Sequence, residues 1–440
     1  MSDDPSSSGH PHRVVIVGGG AGGLILAARL GRRFGREHVT LVDARPYHIW
    51  KPSLHEAAAG TLDIHQEGLS YLMLANLNRF SFVLGSVQSV DRQARTLRLA
   101  AVASPDGEAV VPERTLPYDT LVLAVGSTSN FFGTPGAERY AVTLDTPDNA
   151  ESFRLALLRA MVEVDRAKAA DPEAALKVVI VGGGATGVEL AAELREAGRV
   201  IGAYGLPAFR PDRDLVITLI EGAPRLLAAL PERLAQAARI RLEELGIRVH
   251  TDCKVAEITR DAVRAADGQS FACDLCMWAA GIRGQPVLAG LGLPLNRVGQ
   301  VEVDGRLQTA DPQVLAFGDC AAAPWTDGRT VPARAQAAHQ EADYLAGRLA
   351  ARLQGRPEPG APFRYRDYGS LISLGQGAGA GSLMGKLIGR GMFVSGLLAR
   401  LMYMSLHLMH HRAVLGVWRT ASLALARLLM KRAHPRVKLH

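Results

Sequence analysis

Apolar and polar residues alternate along the chain in blocks of strand length and helix length. Short β-branched runs such as residues 14–17 and 178–181 have the length and composition of buried strands. Glycines follow each run, and an Ala/Leu-rich segment with helical periodicity follows the glycines. Strands that alternate with helices in this way are typical of parallel sheets. The pattern therefore predicts an α/β fold.

The two glycine-containing segments are copies of each other. Residues 14–30 and 178–194 are identical at 13 of 17 positions, at an offset of 164 residues. Their strand–turn–helix context predicts a GxGxxG turn in each of two Rossmann-like dinucleotide-binding domains. The first glycine of such a turn permits the tight bend, the second lets a pyrophosphate approach, and the third lets the helix pack on the strand. The predicted cofactor-contacting glycines are Gly18, Gly20 and Gly23 in the first copy and Gly182, Gly184 and Gly187 in the second.

An acidic residue at the end of the following strand is expected to hold the ribose hydroxyls of each dinucleotide. Asp43 closes the run VTLVD, 20 residues after Gly23. Glu221 closes the run VITLIE, 34 residues after Gly187, and an insertion around residues 201–214 accounts for the longer spacing. Both copies therefore contain the complete motif.

Two dinucleotide sites in this order resemble the two-dinucleotide-binding-domain flavoproteins. That resemblance implies FAD at the first site, NAD(P)H at the second, and a late Gly-Asp signature for FAD, which Gly318-Asp319 matches. It also implies two crossover strands that end near a glycine, here Gly126 and Gly281. A carboxylate at Glu221 accepts a hydrogen bond from a 2′-hydroxyl and repels a 2′-phosphate, which favours NADH over NADPH. Arg225 leaves some use of NADPH open.

Composition and cysteine content narrow the class of protein to which the chain can belong. A chain of 440 residues corresponds to about three domains, and 48% hydrophobic with 21% charged residues excludes a disordered, collagenous or polytopic membrane protein. The four cysteines fit a reducing compartment. Residues 24–80 lack the cysteine pair of disulfide reductases, and Cys273 and Cys276 are interpreted as buried structural thiols. No metal site is predicted.

With disulfide reductases set aside, the sequence resembles the type II NADH dehydrogenases, single-subunit NADH:quinone oxidoreductases. The matching segments cover about residues 14–430 and include Tyr47–Gly60, Gly184–Leu190, Tyr368–Ser370 and the AQxAxQ motif at Ala335–Gln340. The resemblance places Tyr47–Gly60 along the flavin, and Lys51 stands there where the family commonly has Gln or Arg.

The resemblance implies four catalytic residues. Glu189 corresponds to Ile25 in the first repeat, so the duplicated fold does not require a charge there. It would hold the nicotinamide or relay protons, and the alternative is a carboxylate stabilised by the helix N-terminus. Gln336 and Gln340 share a helix face, with His339 beside them, so all three are candidates to hydrogen-bond quinone carbonyls. Without the resemblance they would be interpreted as a solvated face.

The net charge of +7 belongs to the C-terminal tail. No acidic residue follows Asp367, while ten Lys and Arg residues do, which leaves −3 for residues 1–367. Arg400, near the centre of the apolar stretch Met392–Met409, disfavours a membrane span. Two basic amphipathic helices are predicted instead, which indicates an interfacial membrane anchor or a dimer contact. Nucleic acid is disfavoured because the apolar face would stay exposed; that face is predicted to contain Val414, Trp418, Ala421, Leu425 and Leu428.

These features predict a non-proton-pumping NADH:quinone oxidoreductase with FAD, attached to the cytoplasmic face of the cell membrane and using a membrane quinone. The alternatives are a sulfide:quinone reductase and an NADH-binding flavoprotein redox sensor. The predicted domains are a disordered N-terminus (1–12), an FAD domain (13–140 and 280–345) interrupted by an NADH domain (141–279), and a C-terminal domain with the basic anchor (346–440).

Overall fold

A computed structural model describes residues 10–440 except 105, 375–378, 384–391, 396, 434–436 and 439–440. Residues 1–9, most of the predicted disordered N-terminus, lie outside the described residues. His12 is described, and its imidazole is hydrogen-bonded to the Thr120 hydroxyl at 2.9 Å.

Twelve α-helices occur in the described part of the chain. In chain order they are α1 (Ala21–Phe34), α2 (Leu54–Ala59), α3 (Ile64–Glu67), α4 (Tyr71–Asn78), α5 (Ala137–Tyr140), α6 (Pro147–Ala167), α7 (Ala185–Ala203), α8 (Pro211–Asp214), α9 (Glu232–Glu244), α10 (Ala335–Leu353), α11 (Leu397–Leu415) and α12 (Val417–Ala433). Short 3₁₀ turns occur at Lys51–Ser53, Pro286–Leu291 and Gly318–Cys320.

Two five-stranded parallel sheets form the centre of the molecule, and four strands of each have the same order. The fifth, an edge strand, comes last in the chain in the first sheet and first in the chain in the second. The first contains, in spatial order, Val314–Ala316, Thr120–Leu123, Val14–Val17, Val39–Asp43 and Ser81–Leu84. The second contains Ala141–Thr143, Leu275–Trp278, Leu176–Val181, Leu215–Ile220 and Arg248–His250. In each sheet the strand before the glycine turn is central. The predicted α/β fold with two Rossmann-like units is confirmed.

Smaller antiparallel sheets complete the two units. Three-stranded sheets are formed by Val87–Asp91, Thr96–Leu99 and Arg114–Pro117, by Val255–Ile258, Ala262–Ala265 and Ser270–Ala272, and by Gly369–Ser373, Gly379–Leu383 and Met392–Ser395. Paired strands are Tyr47–His48 with Leu69–Ser70, Val102–Ala103 with Ala109–Val111, Ser127–Ser129 with Ile282–Gly284, and Val301–Glu302 with Ala321–Ala322. The exact domain boundaries stay a prediction.

Each parallel sheet is covered by helices because its strands are apolar on both faces. All four residues of Val14–Val17 are buried, and α1 packs on this sheet together with α10. In the second unit, α7 occupies the place of α1 and buries most of one face against Leu176–Val181 and Leu215–Ile220. The carboxyl ends of the central strands thereby meet the N-termini of α1 and α7.

The tail folds back onto the first unit. Helices α11 and α12 are joined at Gly416 (φ +81°), and α11 packs against α1, α4 and the C-terminal three-stranded sheet. Val414 is fully buried, and the Asn78 amide donates to its carbonyl at 3.0 Å, so the prediction that Val414 lies on the exposed apolar face is wrong. The sequence pattern missed this because it cannot show which apolar residues of a tail dock on the body.

Helix α12 nevertheless exposes an apolar surface. Trp418 is 86% exposed, and Leu425 and Leu429 are each 59% exposed. The basic side chain of Arg427 is not free in solvent, because it forms an ion pair with Glu67. The side chain of Leu428 lies outside the described part of the structure. Within the described residues, no helix combines the length and the hydropathy needed to cross a membrane.

Candidate active site

The first glycine turn has the geometry that a pyrophosphate requires. Gly18 has φ +103°, and a Cβ there would lie 2.3 Å from the Ala124 carbonyl oxygen. A Cβ on Gly23 would lie 1.9 Å from the Gly18 oxygen, whereas one on Gly20 would meet nothing within 4 Å. The turn and the helix contact therefore exclude side chains, while open space lies above Gly20 at the N-terminus of α1. Backbone N–H groups at such a helix end attract phosphate.

The second turn repeats this geometry. Gly182 has φ +112°, and its Cβ would lie 2.6 Å from the Ala280 nitrogen. A Cβ on Gly187 would lie 1.9 Å from the Gly182 oxygen, and one on Gly184 would again meet nothing within 4 Å. Neither α1 nor α7 has a side-chain cap at its N-terminus. Both turns therefore fit a dinucleotide.

The two predicted ribose carboxylates are held in the same way. Asp43 accepts hydrogen bonds from the Gly19 N–H (2.7 Å) and the Arg45 N–H (2.9 Å). Glu221 accepts from the Gly183 N–H (2.6 Å) and the Ala223 N–H (2.7 Å). Each carboxylate oxygen keeps a second lone pair, so these contacts fix the group beside the glycine turn and leave it able to accept from ribose hydroxyls.

The sequence left open that Arg225 could bind the 2′-phosphate of NADPH. In the structure its guanidinium has other partners. Its guanidinium donates to the carbonyls of Leu230 (2.9 Å) and Ala228 (2.7 Å). These bonds close the loop that follows Glu221. The arrangement favours a free 2′-hydroxyl, as in NADH.

Asp319 is the buried acceptor at the carboxyl edge of the first sheet. Its carboxylate accepts from the Ser127 hydroxyl at 3.1 Å, and burial raises its pKa, opposed by the nearby Lys51 charge and the Ser127 hydrogen bond. Lys51 donates to the Ser127 carbonyl at 3.1 Å and lies 3.9 Å from Asp145. A buried carboxylate with one hydroxyl donor has acceptor capacity left, which fits the ribityl and phosphate region of FAD.

Three further predicted glycines lie at the crossovers around Asp319. Gly126, Gly281 and Gly318 have φ of +69°, +65° and +72°, a region that L side chains rarely adopt. Strands Ser127–Ser129 and Ile282–Gly284 follow two of these glycines and pair with each other antiparallel. The crossovers of the two units are thereby joined next to Asp319.

Glu341 on α10 is a site residue that the sequence analysis missed. Only 2% of it is exposed, and its carboxylate accepts from the Gly318 N–H at 2.8 Å. Burial raises the pKa of Glu341 to about 7, opposed by the Gly318 hydrogen bond and assisted by the Asp319 charge. Its only signal in the sequence is an acidic residue on an Ala-rich helix face, which does not distinguish it from a solvated one.

Glu189 lies on the buried side of α7, where it is 7% exposed. Its carboxylate accepts from the Ser373 N–H at 3.0 Å, and its other oxygen lies 3.7 Å from His55 Nδ1. Burial raises its pKa to about 8; the Ser373 hydrogen bond opposes this, and the charges of Glu56 and Glu193 add to it. Glu189 is therefore largely protonated at neutral pH.

The AQxAxQ side chains meet the segment that follows α10. Gln336 accepts from the Tyr365 hydroxyl at 2.6 Å, and both amide atoms of Gln340 bond to the Arg366 backbone, at 2.9 and 3.0 Å. His339 lies 3.8 Å from Asp343, and burial lowers its pKa. The two glutamines thus hold residues 365–368 in place, a role that the sequence did not predict.

A histidine cluster, defined as His48, His407, His410 and His411, joins α11 to the first unit. The ring of His48 bonds to the Gly19 carbonyl through Nδ1 (2.9 Å) and to His410 Nε2 through its own Nε2 (2.8 Å). Because a carbonyl only accepts, His48 carries its proton on Nδ1 and His410 donates from Nε2. The ring centroids of Trp50 and His410 lie 4.5 Å apart. The described residues contain no grouping suited to a metal ion.

Acid is expected to detach the tail helices. Burial lowers the pKa of these imidazoles, to about 4 for His48 and His411, to about 3 for His407, and well below 6.5 for His410. The unfolded chain therefore binds more protons than the folded one as pH falls from 6.5, and the stability contributed by neutral histidines is lost toward pH 4. For His48 alone, the loss of folding free energy between pH 6.5 and pH 4 is about 3 kcal/mol.

Hydrogen exchange of α11 and α12, corrected for the intrinsic rate, should thus rise steeply between pH 6.5 and 4. His48→Gln should move the midpoint to lower pH, whereas replacement of the exposed His65 should not. Unchanged protection of α11 across this window contradicts the prediction.

All four cysteines are buried and unpaired, including Cys273 and Cys276, as the sequence analysis predicted. Burial raises the pKa of Cys320 to about 12, which disfavours the reactive thiolate.

Comparisons with known proteins identify the family. The family model described as pyridine nucleotide-disulphide oxidoreductase matches residues 12–342. A type II NADH:quinone oxidoreductase of Haemophilus influenzae is 38% identical over 97% of this chain and 99% of its own. The solved NDH2 of Plasmodium falciparum in complex with NADH has a TM-score of 0.80 at 18% identity, covering 97% of this chain and 99% of that one. The sulfide:quinone oxidoreductase of Aquifex aeolicus has a TM-score of 0.69 at 18% identity, covering 92% of each chain.

The glycine turns, their carboxylates and the family model define a two-dinucleotide oxidoreductase of the pyridine nucleotide-disulphide class. The solved structures show the fold alone, because NADH- and sulfide-dependent enzymes share it. The sequence identity over nearly the whole chain decides between them. The chain belongs to the type II NADH:quinone oxidoreductase family.

Proposed function

We propose that this protein is a non-proton-pumping NADH:quinone oxidoreductase with FAD at the first site and NADH at the second. The observation that carries the proposal is the duplicated turn: two uncapped helix N-termini, each with a fixed carboxylate, together with the buried carboxylate of Asp319. FAD, when bound, supplies the chemistry that accepts a hydride and passes two electrons onward. The protein's residues bind and orient the two dinucleotides and manage the proton.

Each group then has a definite task. Asp43 and Glu221 hold ribose hydroxyls, and Asp319 holds the flavin's polar chain beside Lys51. Glu189, buried and largely protonated, holds the proton that quinone reduction consumes in addition to the hydride. Gln336 and Gln340 shape the quinone side by holding residues 365–368, and His339 offers the nearby imidazole.

The membrane face is a further part of the proposal. The exposed apolar side chains of α12 and the ten basic residues after Asp367 support attachment to an anionic lipid surface, where the quinone is dissolved. We place the protein on the cytoplasmic side because its cysteines are all free. A homodimer contact through the same surface is the alternative.

One assay tests the proposed function. Purified protein should reduce a short-chain quinone with NADH, much more slowly with NADPH, and not with sulfide. In anaerobic stopped flow, NADH should bleach the flavin, and quinone should restore its colour. Gln336→Ala should slow only the second step. NADH binding without quinone reduction would favour the redox sensor, and sulfide oxidation would favour the sulfide:quinone reductase.

Glu221→Ala is expected to weaken the preference for NADH over NADPH about tenfold or more, because a charged acceptor of a ribose hydroxyl contributes about 1.5–3 kcal/mol. The variant should lose NADH affinity without gaining strong NADPH affinity, since Arg225 stays bonded to backbone carbonyls. KM values for both nucleotides check this. Glu232→Ala, which removes an exposed carboxylate from the same unit, is the control. An unchanged ratio in the Glu221 variant would refute the assignment.

A further inference from the structure

Three elements from distant parts of the chain meet at the Glu189 carboxyl. Helix α7 contributes Glu189, α2 contributes His55, and strand Gly369–Ser373 contributes the Ser373 N–H. The side chains of His55 and Glu189 are only 2% and 8% exposed, and His55 Nδ1 lies 3.7 Å from Glu189 Oε2. Among the described residues, His55 is the basic residue whose side chain lies within 4.0 Å of this carboxylate.

Among the described residues, Nε2 of His55 has no hydrogen-bond partner. His55 Nε2 is buried and unsatisfied among the described residues, and the Glu56 carboxylate lies 4.0 Å away. The Glu56 side chain is 29% exposed, so it reaches solvent. The Pro52 carbonyl accepts a hydrogen bond from the ring, and because Nε2 has no partner, this bond indicates a proton on Nδ1. A buried nitrogen without a partner costs about 1–3 kcal/mol, and here it leaves a vacant proton acceptor beside a carboxylate that reaches solvent.

The pKa values of His55 and Glu189 indicate a role for this proton acceptor. Burial lowers the pKa of His55 to about 4, which the Pro52 carbonyl opposes, while burial raises that of Glu189 to about 8. The groups facing Glu189 from its own helix and from α2 are Glu193 and Glu56, and both disfavour a second negative charge. When Glu189 gives its proton away, it becomes a buried carboxylate, which costs several kcal/mol unless a cation forms beside it.

We propose that His55 is the charge partner of Glu189 and takes up a solvent proton at Nε2 when Glu189 gives its own proton to quinone reduction. The pair then changes from two neutral groups to an imidazolium and a carboxylate, with no change in net charge. It resets when Glu189 takes up a proton and His55 releases one from Nε2. Over a cycle one proton from solvent is consumed, as NADH, a proton and quinone become NAD⁺ and hydroquinone. This role of His55, a positioning residue, rests on the proposed function.

The first test needs no turnover. In ¹⁵N-histidine spectra, assigned with His55→Gln, the His55 ring signals should shift with a midpoint near pH 8, as Glu189 ionises beside them. Glu189→Gln should abolish that step, and the exposed His65 should never show it. A His55 signal that stays constant through this range overturns the proposal, whether or not the protein reduces quinone.

The second test is kinetic. His55→Gln keeps a polar side chain that cannot become a cation, so kcat for quinone should fall about tenfold or more, while flavin reduction by NADH is unchanged. The double variant with Glu189→Gln should be no slower than Glu189→Gln alone, because the two residues act as one unit. Additive losses, or equal loss of both half-reactions, overturn the proposal.

Matched controls distinguish the proposed role of His55 from an effect of its substitution on folding. His65→Gln, on the neighbouring α3, should behave as wild type. If His55→Gln lowers the melting temperature or the FAD content, His55→Ala with added imidazole replaces it. Recovery of quinone reduction with imidazole, and none with a similar-sized neutral amide, is the expected result, and recovery with both overturns it. Absence of all quinone reduction in wild type would refute the proposed function but leave the spectroscopic test of the pair standing.

Discussion

Asp319→Ala is expected to purify with little or no flavin. The carboxylate is buried, its raised pKa reflects desolvation, and one hydroxyl donor from Ser127 satisfies it only in part. Hydrogen bonds to a charged acceptor contribute about 1.5–3 kcal/mol each. Loss of even one such bond to FAD should therefore weaken FAD binding about tenfold or more. Visible flavin absorbance per protein, before and after reconstitution with FAD, measures the effect.

Two companion variants make the result specific. Asp319→Asn keeps an acceptor of the same shape and should retain more FAD than Asp319→Ala. Glu341→Gln keeps an acceptor for the Gly318 N–H and removes only the second buried carboxylate, so it should hold FAD nearly as wild type does. Full flavin content in Asp319→Ala would contradict the assignment of the first site.

The glycine turns could be predicted from the sequence because their requirements are local. Gly18 needs positive φ and Gly23 needs the absence of a Cβ, so the residue type itself records the geometry. The carboxylates of Asp43 and Glu221 come at the end of the next strand after each turn, a position that the motif itself specifies. The duplication added evidence, because a chance pattern does not recur with its flanking strand and helix.

The long-range contacts could not be predicted, because they depend on how distant segments pack. His55, Glu189 and Ser373 lie far apart in the chain, and nothing near any one of them indicates the other two. The glutamines of the AQxAxQ motif were correctly placed on one helix face, yet their bonds to residues 365–368 depend on a loop whose path the pattern does not encode. Val414 was assigned to an exposed tail face by periodicity alone, whereas its docking against Asn78 of α4 buries it.

The same packing changes which experiment can test the tail. Deleting it would remove three members of the histidine cluster, expose the fourth, His48, and remove Val437, which lies in the core beside Gly60. A truncated protein would therefore be destabilised for reasons unrelated to lipid. Substitutions confined to exposed apolar positions of α12 avoid this difficulty, because those side chains contribute little to the folded monomer.

Trp418→Glu with Leu425→Glu is expected to abolish most binding to anionic lipid vesicles without unfolding the protein. These side chains are 86% and 59% exposed, so lipid burial would provide their main apolar contact. Basic residues near the surface add about 1 kcal/mol each, and salt screens only that part. High salt should thus release part of the wild type, and detergent the rest.

Vesicle co-sedimentation measures binding, and NADH oxidation with a water-soluble acceptor should stay as in wild type. The matched control is Leu155→Glu with Val162→Glu, which places two glutamates at the same spacing on exposed positions of α6. That variant should bind vesicles normally. If the α12 variant still binds lipid, or if it instead loses only self-association in sedimentation, the apolar face of α12 is a contact between two copies of the chain and the membrane proposal fails.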